Sequence, residues 1–121
     1  MRLRACRLQK RMLLALEKNE VAISAVTRAE MRYGLALLQP GDKRRRLVDL
    51  LLNEFPVLAW TREAADRYGE IAAHLHQTGQ PIGAMDTQIA AHALVLGLPL
   101  GTHNTRHFMR VPGLKLQDWL A

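Results

Sequence analysis

The sequence predicts an α/β fold with a parallel sheet flanked by helices. Two observations carry that expectation. Short β-branched or leucine-rich runs, "EVAIS", "PVLAW", "LPLGT" and "LKLQDWL", alternate with segments of helical period at least ten residues long. Parallel strands need crossover connections of that length, which are usually helical. The 121 residues, 49% of them apolar and 23% charged, suit one folded domain spanning 1–121.

The elements follow in order. Residues 2–18 set Leu3, Cys6, Met12, Leu13 and Leu16 at spacings near three and four among Arg and Lys, the pattern of a basic amphipathic helix. "EVAIS" reads as the first strand. "TRAEMRYGLALL" returns to helical period, and Thr27 and Glu30 have the spacing of a capping box. "QPGD" breaks the chain, so Asp42 is expected to cap a helix through "KRRRLVDLLLNEF". After "PVLAW", Thr61 opens a long helix closed by "TGQP", with Gly79 suited to a left-handed turn. "PIGAMDTQIAAHALVLG" then gives a turn, one carboxylate at Asp86 and an almost wholly apolar helix stopped by Gly97. "LPLGT" is a strand, "HNTRHFMRVPG" a polar loop, and "LKLQDWL" a short closing strand or turn.

Composition excludes several classes. The longest apolar stretches, "AAHALVLGLPLG" and "LVDLLL", fall short of the roughly 20 residues that span a bilayer. No membrane association is expected, and the N-terminal segment lacks the cleavage site of a secretory signal. The single Cys6 cannot form an internal disulfide, which fits a cytoplasmic location. Seventeen Lys and Arg against eleven Asp and Glu leave a formal charge of +6, which suits an acidic partner, either a nucleic acid or an acidic protein.

Ligands of open α/β sheets gather at the carboxyl ends of the strands. Glu30 follows the first strand, Asp86 opens the helix before "LPLG", and Thr102 and Asn104 directly follow it. Carboxylates there would suit Mg²⁺ or Mn²⁺, hard ions that take oxygen ligands. Each residue also has a plain structural reading: Glu30 as a capping-box acid, Asp86 as a helix cap, Thr102 and Asn104 as turn formers. Lys43, Arg44, Arg45 and Arg46 put positive charge at a helix start, against its dipole, which points to phosphate contact or to a solvated face. Arg106 and His107 lie nearer the expected site. His74 and His76, two apart on a helix, are expected at the surface, and His103 and His107 lack the further ligands of a zinc site.

"VAISAVTRAEMRYGL" and "TGQPIGAMDTQIAAHALVLGLPLGTHNTRHFMRVPGLKLQDW" resemble PIN-domain ribonucleases, and the VapC toxins of bacterial toxin–antitoxin modules in particular. The resemblance covers residues 20–119. It implies a metal-dependent endoribonuclease that acts on tRNA or other RNA, is neutralised by an antitoxin, and forms a homodimer. It further implies Glu30 and Asp86 as Mg²⁺ (or Mn²⁺) ligands and Thr102 and Asn104 as catalytic positions. Arg106, Arg44 and Arg45 are the expected RNA contacts. Asn104 stands where relatives often have Asp or Asn, here a neutral amide, and Asp118 where they commonly have Glu. Family members begin with an apolar strand ending in Asp-Thr-Asn, whereas residues 1–20 here match the region after it. The expectation is therefore a PIN-like domain truncated at its N-terminus relative to the family, and the alternative function is a catalytically impaired module that binds an antitoxin or itself.

Overall fold

The structure, a computed structural model, describes residues 21–102 and 104–117. The expected N-terminal helix with Cys6, and also His103, Asp118 and Trp119, lie outside the described residues. The chain forms two compact units that meet in sequence between Ala59 and Trp60.

The first unit runs β1 (Ile23–Ser24), α1 (Ala25–Ala36), α2 (Lys43–Glu54) and β2 (Val57–Leu58). β1 and β2 pair in parallel, Ile23 with Val57 and Ser24 with Leu58, so the two helices form the crossover. The expected capping box is not what starts α1. Ser24, extended at φ −64° and ψ 147°, is the N-cap, and its Oγ accepts from the Val26 N–H at 3.0 Å. Thr27 is therefore already the third helical residue, and Glu30 lies in the second turn, too far along to close a box. Two Ncap-type residues stand three apart, and the strand's end selects the earlier one. α2 begins as expected at Asp42, whose Oδ1 accepts from the Arg44 N–H at 2.9 Å.

Long arginines join these two helices. Arg28 donates from Nη1 to the Leu52 carbonyl at 2.7 Å, and Arg32 donates to Asp49 at 2.5 Å and to Asn53 Oδ1 at 3.2 Å. Among the described residues of this unit, Val21, Ile23, Met31, Leu51, Leu52 and Phe55 are buried and apolar.

The second unit runs α3 (Arg62–Gln77), α4 (Ala84–Leu96), β3 (Leu100–Gly101), α5 (Thr105–Phe108) and β4 (Leu116–Gln117). Thr61 caps α3 through its Oγ1, which accepts from the Ala64 N–H at 3.2 Å. Gly79 and Gly97 both take the left-handed turns expected of them, at φ 68° and 67°. β3 and β4 pair in parallel, Leu100 with Leu116 and Gly101 with Gln117, so the closing segment is a strand. The segment read as a polar loop differs from expectation. It contains α5, and its Phe108 and Val111 are buried at 5% and 3% exposure. They join Ile71, Leu75, Ile82, Ala90 and Ala91 in one apolar core, against which Tyr68, Leu94, Leu100, Leu114 and Leu116 pack.

α4 is apolar on nearly every face, which is the pattern of a buried helix. His92, at 2% exposure, lies edge-on to Trp60 with ring centroids 5.5 Å apart. Thr87, also buried, donates its hydroxyl to the Gly83 carbonyl at 2.6 Å, so burial leaves that hydroxyl bonded. His74 and His76 are exposed at the end of α3, as expected.

Candidate active site

Asp86 is the third residue of α4, and the N-cap is Gly83 rather than Asp86. Gly83 has φ 96° and ψ 153°, a conformation open in practice only to glycine. This turn lets "PIG" enter the helix with no capping side chain. Asp86, in the first turn, is not the N-cap residue itself, and its carboxylate lies favourably at the positive end of the helix dipole. Its side chain keeps 31% of its exposure.

Three contacts hold the chain after β3 beside this carboxylate. Phe108 and Val111 bury into the core, and Arg110 donates from Nη1 to the Pro81 carbonyl at 3.1 Å, which ties the loop to the turn that opens α4. The Thr102 backbone N–H donates to the Gln117 carbonyl at 3.0 Å, extending the β3–β4 pairing. Within the loop, Thr102 Oγ1 accepts from the Asn104 N–H at 3.0 Å, a hydroxyl turn that sets Asn104 as the N-cap of α5. The Asn104 side-chain amide then meets His107 Nδ1 at 3.0 Å, and that same Nδ1 lies 3.9 Å from Asp86 Oδ2.

Within the second unit the structure therefore brings together Asp86, His107, Asn104 and Thr102. Of these, His107 was expected near the site as a basic residue but was given no role in it. The available signal was its spacing, since Asn104 and His107 are three apart and share a face wherever the chain turns helical. Arg106 is exposed on α5 next to His107.

Glu30 belongs to the first unit, where it is half-buried on α1. With the N-cap at Ser24, its capping-box reading falls away. Arg44 and Arg45 of the basic run both have local bonds. Arg44 donates from Nε and Nη2 to Asp42 at 3.1 and 2.7 Å, and Arg45 donates from Nη1 to the Leu38 carbonyl at 2.8 Å. Hydrogen bonds from the Arg44 side chain, then from its backbone N–H, hold the Asp42 carboxyl at about 2.

Among the described residues no three His, Cys, Asp or Glu side chains converge as a metal cluster. Asp86 nonetheless has the donor chemistry that Mg²⁺ uses, because that ion binds through one or two carboxylates and completes its shell with water and phosphate oxygens.

Residues 7–114 match the family described as PIN domain. The chain is 36% identical over 104 residues to the tRNA(fMet)-specific endonuclease VapC of Shigella flexneri, covering 86% of this chain and 79% of that one. It superposes on the DNA-bound VapBC structure from Salmonella typhimurium with a TM-score of 0.83 at 31% identity, covering 95% of this chain and 86% of that one. VapBC-1 from nontypeable Haemophilus influenzae gives a TM-score of 0.75 at 36% identity, over 84% and 75% of the two chains. The parallel strand pairs, the glycine turn before Asp86 and these matches agree: the chain belongs to the PIN-domain family, among its VapC ribonucleases.

Proposed function

We propose that this protein is an endoribonuclease toxin, held inactive by an antitoxin, that cleaves RNA with the help of a divalent cation. The observation that supports it most is Asp86. Its partly exposed carboxylate, in the first turn of α4, stands beside a loop whose polar side chains are fixed from three directions. tRNA is the first substrate class to test, given the Shigella flexneri relative's printed specificity. An antitoxin partner follows from the VapBC neighbours, and a homodimer in the cytoplasm completes the reading.

In this reading Asp86 is a carboxylate that holds Mg²⁺ or Mn²⁺, and Glu30 is the second acid that the family resemblance implies. A bound ion of this kind would polarise the scissile phosphate and make coordinated water more acidic. The protein's own part is to bind and orient. Asp86 contributes negative charge on a rigid helix. Thr102 and Asn104 fix the course of the loop, and Arg106 offsets charge on the phosphate oxygens. The exposed cations Lys43 and Arg46 add backbone contacts without sequence preference.

The test is cleavage of tRNA(fMet) and bulk tRNA by the full chain with Mg²⁺, alongside Asp86→Asn and Glu30→Gln. Asp86→Asn keeps volume and fold, and is expected to lower cleavage on the order of 100-fold. Calorimetric titration with Mn²⁺ should show weaker binding in both variants. Undiminished cleavage by Asp86→Asn refutes the assigned role. Antitoxin binding with neither cleavage nor metal uptake by the wild-type chain would instead favour a module that only binds.

A further inference from the structure

We propose that His107 is a substrate-positioning residue that offers its Nε2–H to a phosphate oxygen of the RNA engaged at Asp86. This rests on the nuclease reading above and adds a role for a side chain which that reading leaves unused.

The ring's hydrogen bonding carries the argument. Asn104 Nδ2 lies 3.0 Å from His107 Nδ1. An amide –NH₂ has only hydrogens to offer, so Nδ1 accepts and the proton of the neutral ring is on Nε2. Nδ1 therefore cannot also donate to Asp86, and its 3.9 Å separation from Oδ2 is too long for a hydrogen bond. His107 is consequently not the group that orients Asp86. It is a ring with one committed acceptor and one donor, on a side chain that keeps 43% of its exposure.

Its position is fixed rather than adaptable. The next residue, Phe108, is buried in the core, Val111 follows it there, and Arg110 anchors the same turn to the Pro81 carbonyl. Thr102 sets Asn104, and Asn104 sets the ring. A donor held this way loses little entropy when it meets a ligand. Any ligand engaged at the Asp86 carboxylate lies beside this ring, and a phosphate brings acceptor oxygens. A hydrogen bond to a charged acceptor is among the stronger ones, while the exposed Arg106 next to it supplies charge of the sign that a phosphate needs.

The experiment uses the full chain with His107→Ala, His107→Gln and Asn104→Ala. Three quantities are read: kcat and KM for tRNA cleavage, the affinity for a fluorescent single-stranded RNA oligonucleotide with Asp86 intact and Ca²⁺ in place of Mg²⁺, and the ¹⁵N resonances of the imidazole rings. His107→Ala should raise KM and weaken oligonucleotide binding by about tenfold, with kcat changed less than about twofold. His107→Gln, which retains an N–H donor, should recover most of the loss, and Asn104→Ala should abolish the preference for the Nε2–H form. The proposal is overturned if the ring carries its proton on Nδ1, if RNA affinity is unchanged in His107→Ala, or if Gln fails to restore it. Should the wild-type chain cleave no RNA, the nuclease reading fails by itself, while the binding and ring-nitrogen measurements still decide the role of His107.

Discussion

The two compact units hold themselves together differently. In the first, α1 and α2 are tied by arginines that cross between them, with Arg28 on the Leu52 carbonyl and Arg32 on Asp49 and Asn53. Tyr33, Leu37, Leu47 and Leu50 remain exposed on those same helices. In the second, an apolar core runs from Ile71 and Leu75 on α3, through Ala90 and Ala91 on α4, to Phe108 and Val111 after β3. In the first unit Arg28, Arg32 and Arg45 are spent on structure. In the second the core does that work, and Asp86, Thr102, Asn104 and His107 collect in the loop region instead. A buried apolar scaffold can present a constellation of polar groups more rigidly than one that depends on those groups for its own cohesion.

Leu75→Ala should break the second unit's side of this comparison. Leu75 is 1% exposed, and truncating a leucine in such a core costs about 2–5 kcal/mol through lost transfer energy and the cavity left behind. Urea unfolding of the full chain reads this as a fall in midpoint. A loss under about 1 kcal/mol would mean that the core collapses easily around the gap and is not what holds the unit.

Arg28→Met sharpens the first unit's side with a smaller effect. Methionine keeps an apolar stem but removes the donor to the Leu52 carbonyl, a part-buried bond of 2.7 Å. The expected loss is about 1–2 kcal/mol, because a hydrogen bond from a charged donor is replaced by partial solvation of the acceptor. Equal stability of Arg28→Met and wild type would show the arginine ties to be surface decoration, and the contrast between units would fail.

How much of this was readable in advance depends on how local the cause is. Helices α2 and α3 announce themselves through Asp42 and Thr61, and α3 and α4 end at Gly79 and Gly97, since caps act within one turn. The start of α1 was misplaced because Ser24 and Thr27 offer the same chemistry three residues apart, and only the extended backbone of Ser24 chooses between them. The loop after β3 was read as wholly polar because two apolar anchors, Phe108 and Val111, are too few to set a period. Their burial is a tertiary fact. Asp86 was legible as a candidate from its place after a glycine turn. That His107 lies near the site was legible too, but its seat 3.9 Å from Asp86 and its bond to Asn104 were not, because they depend on the core that draws its neighbour inward.

The smallest expected effect concerns how helices α2 and α4 begin. α2 starts on a titrating side chain, whereas α4 starts on Gly83, which has none. Asp42 accepts from the Arg44 backbone N–H and from its guanidinium, and these bonds hold its carboxyl at about 2, below the ordinary 3.8. The folded state thus favours the ionised form, and the contribution of this cap is fully present above about 4. It is lost as pH falls through about 2, when the proton displaces the bonds. Amide exchange at Arg44 and Arg45, followed by NMR from pH 5 downward, should quicken between about pH 4 and 2 relative to the rest of α2. In Asp42→Asn, whose neutral amide oxygen can still cap the helix, that local pH dependence should vanish. If it persists unchanged, another group frays the start of α2, and the distinction between a charged and a glycine helix entry does not hold.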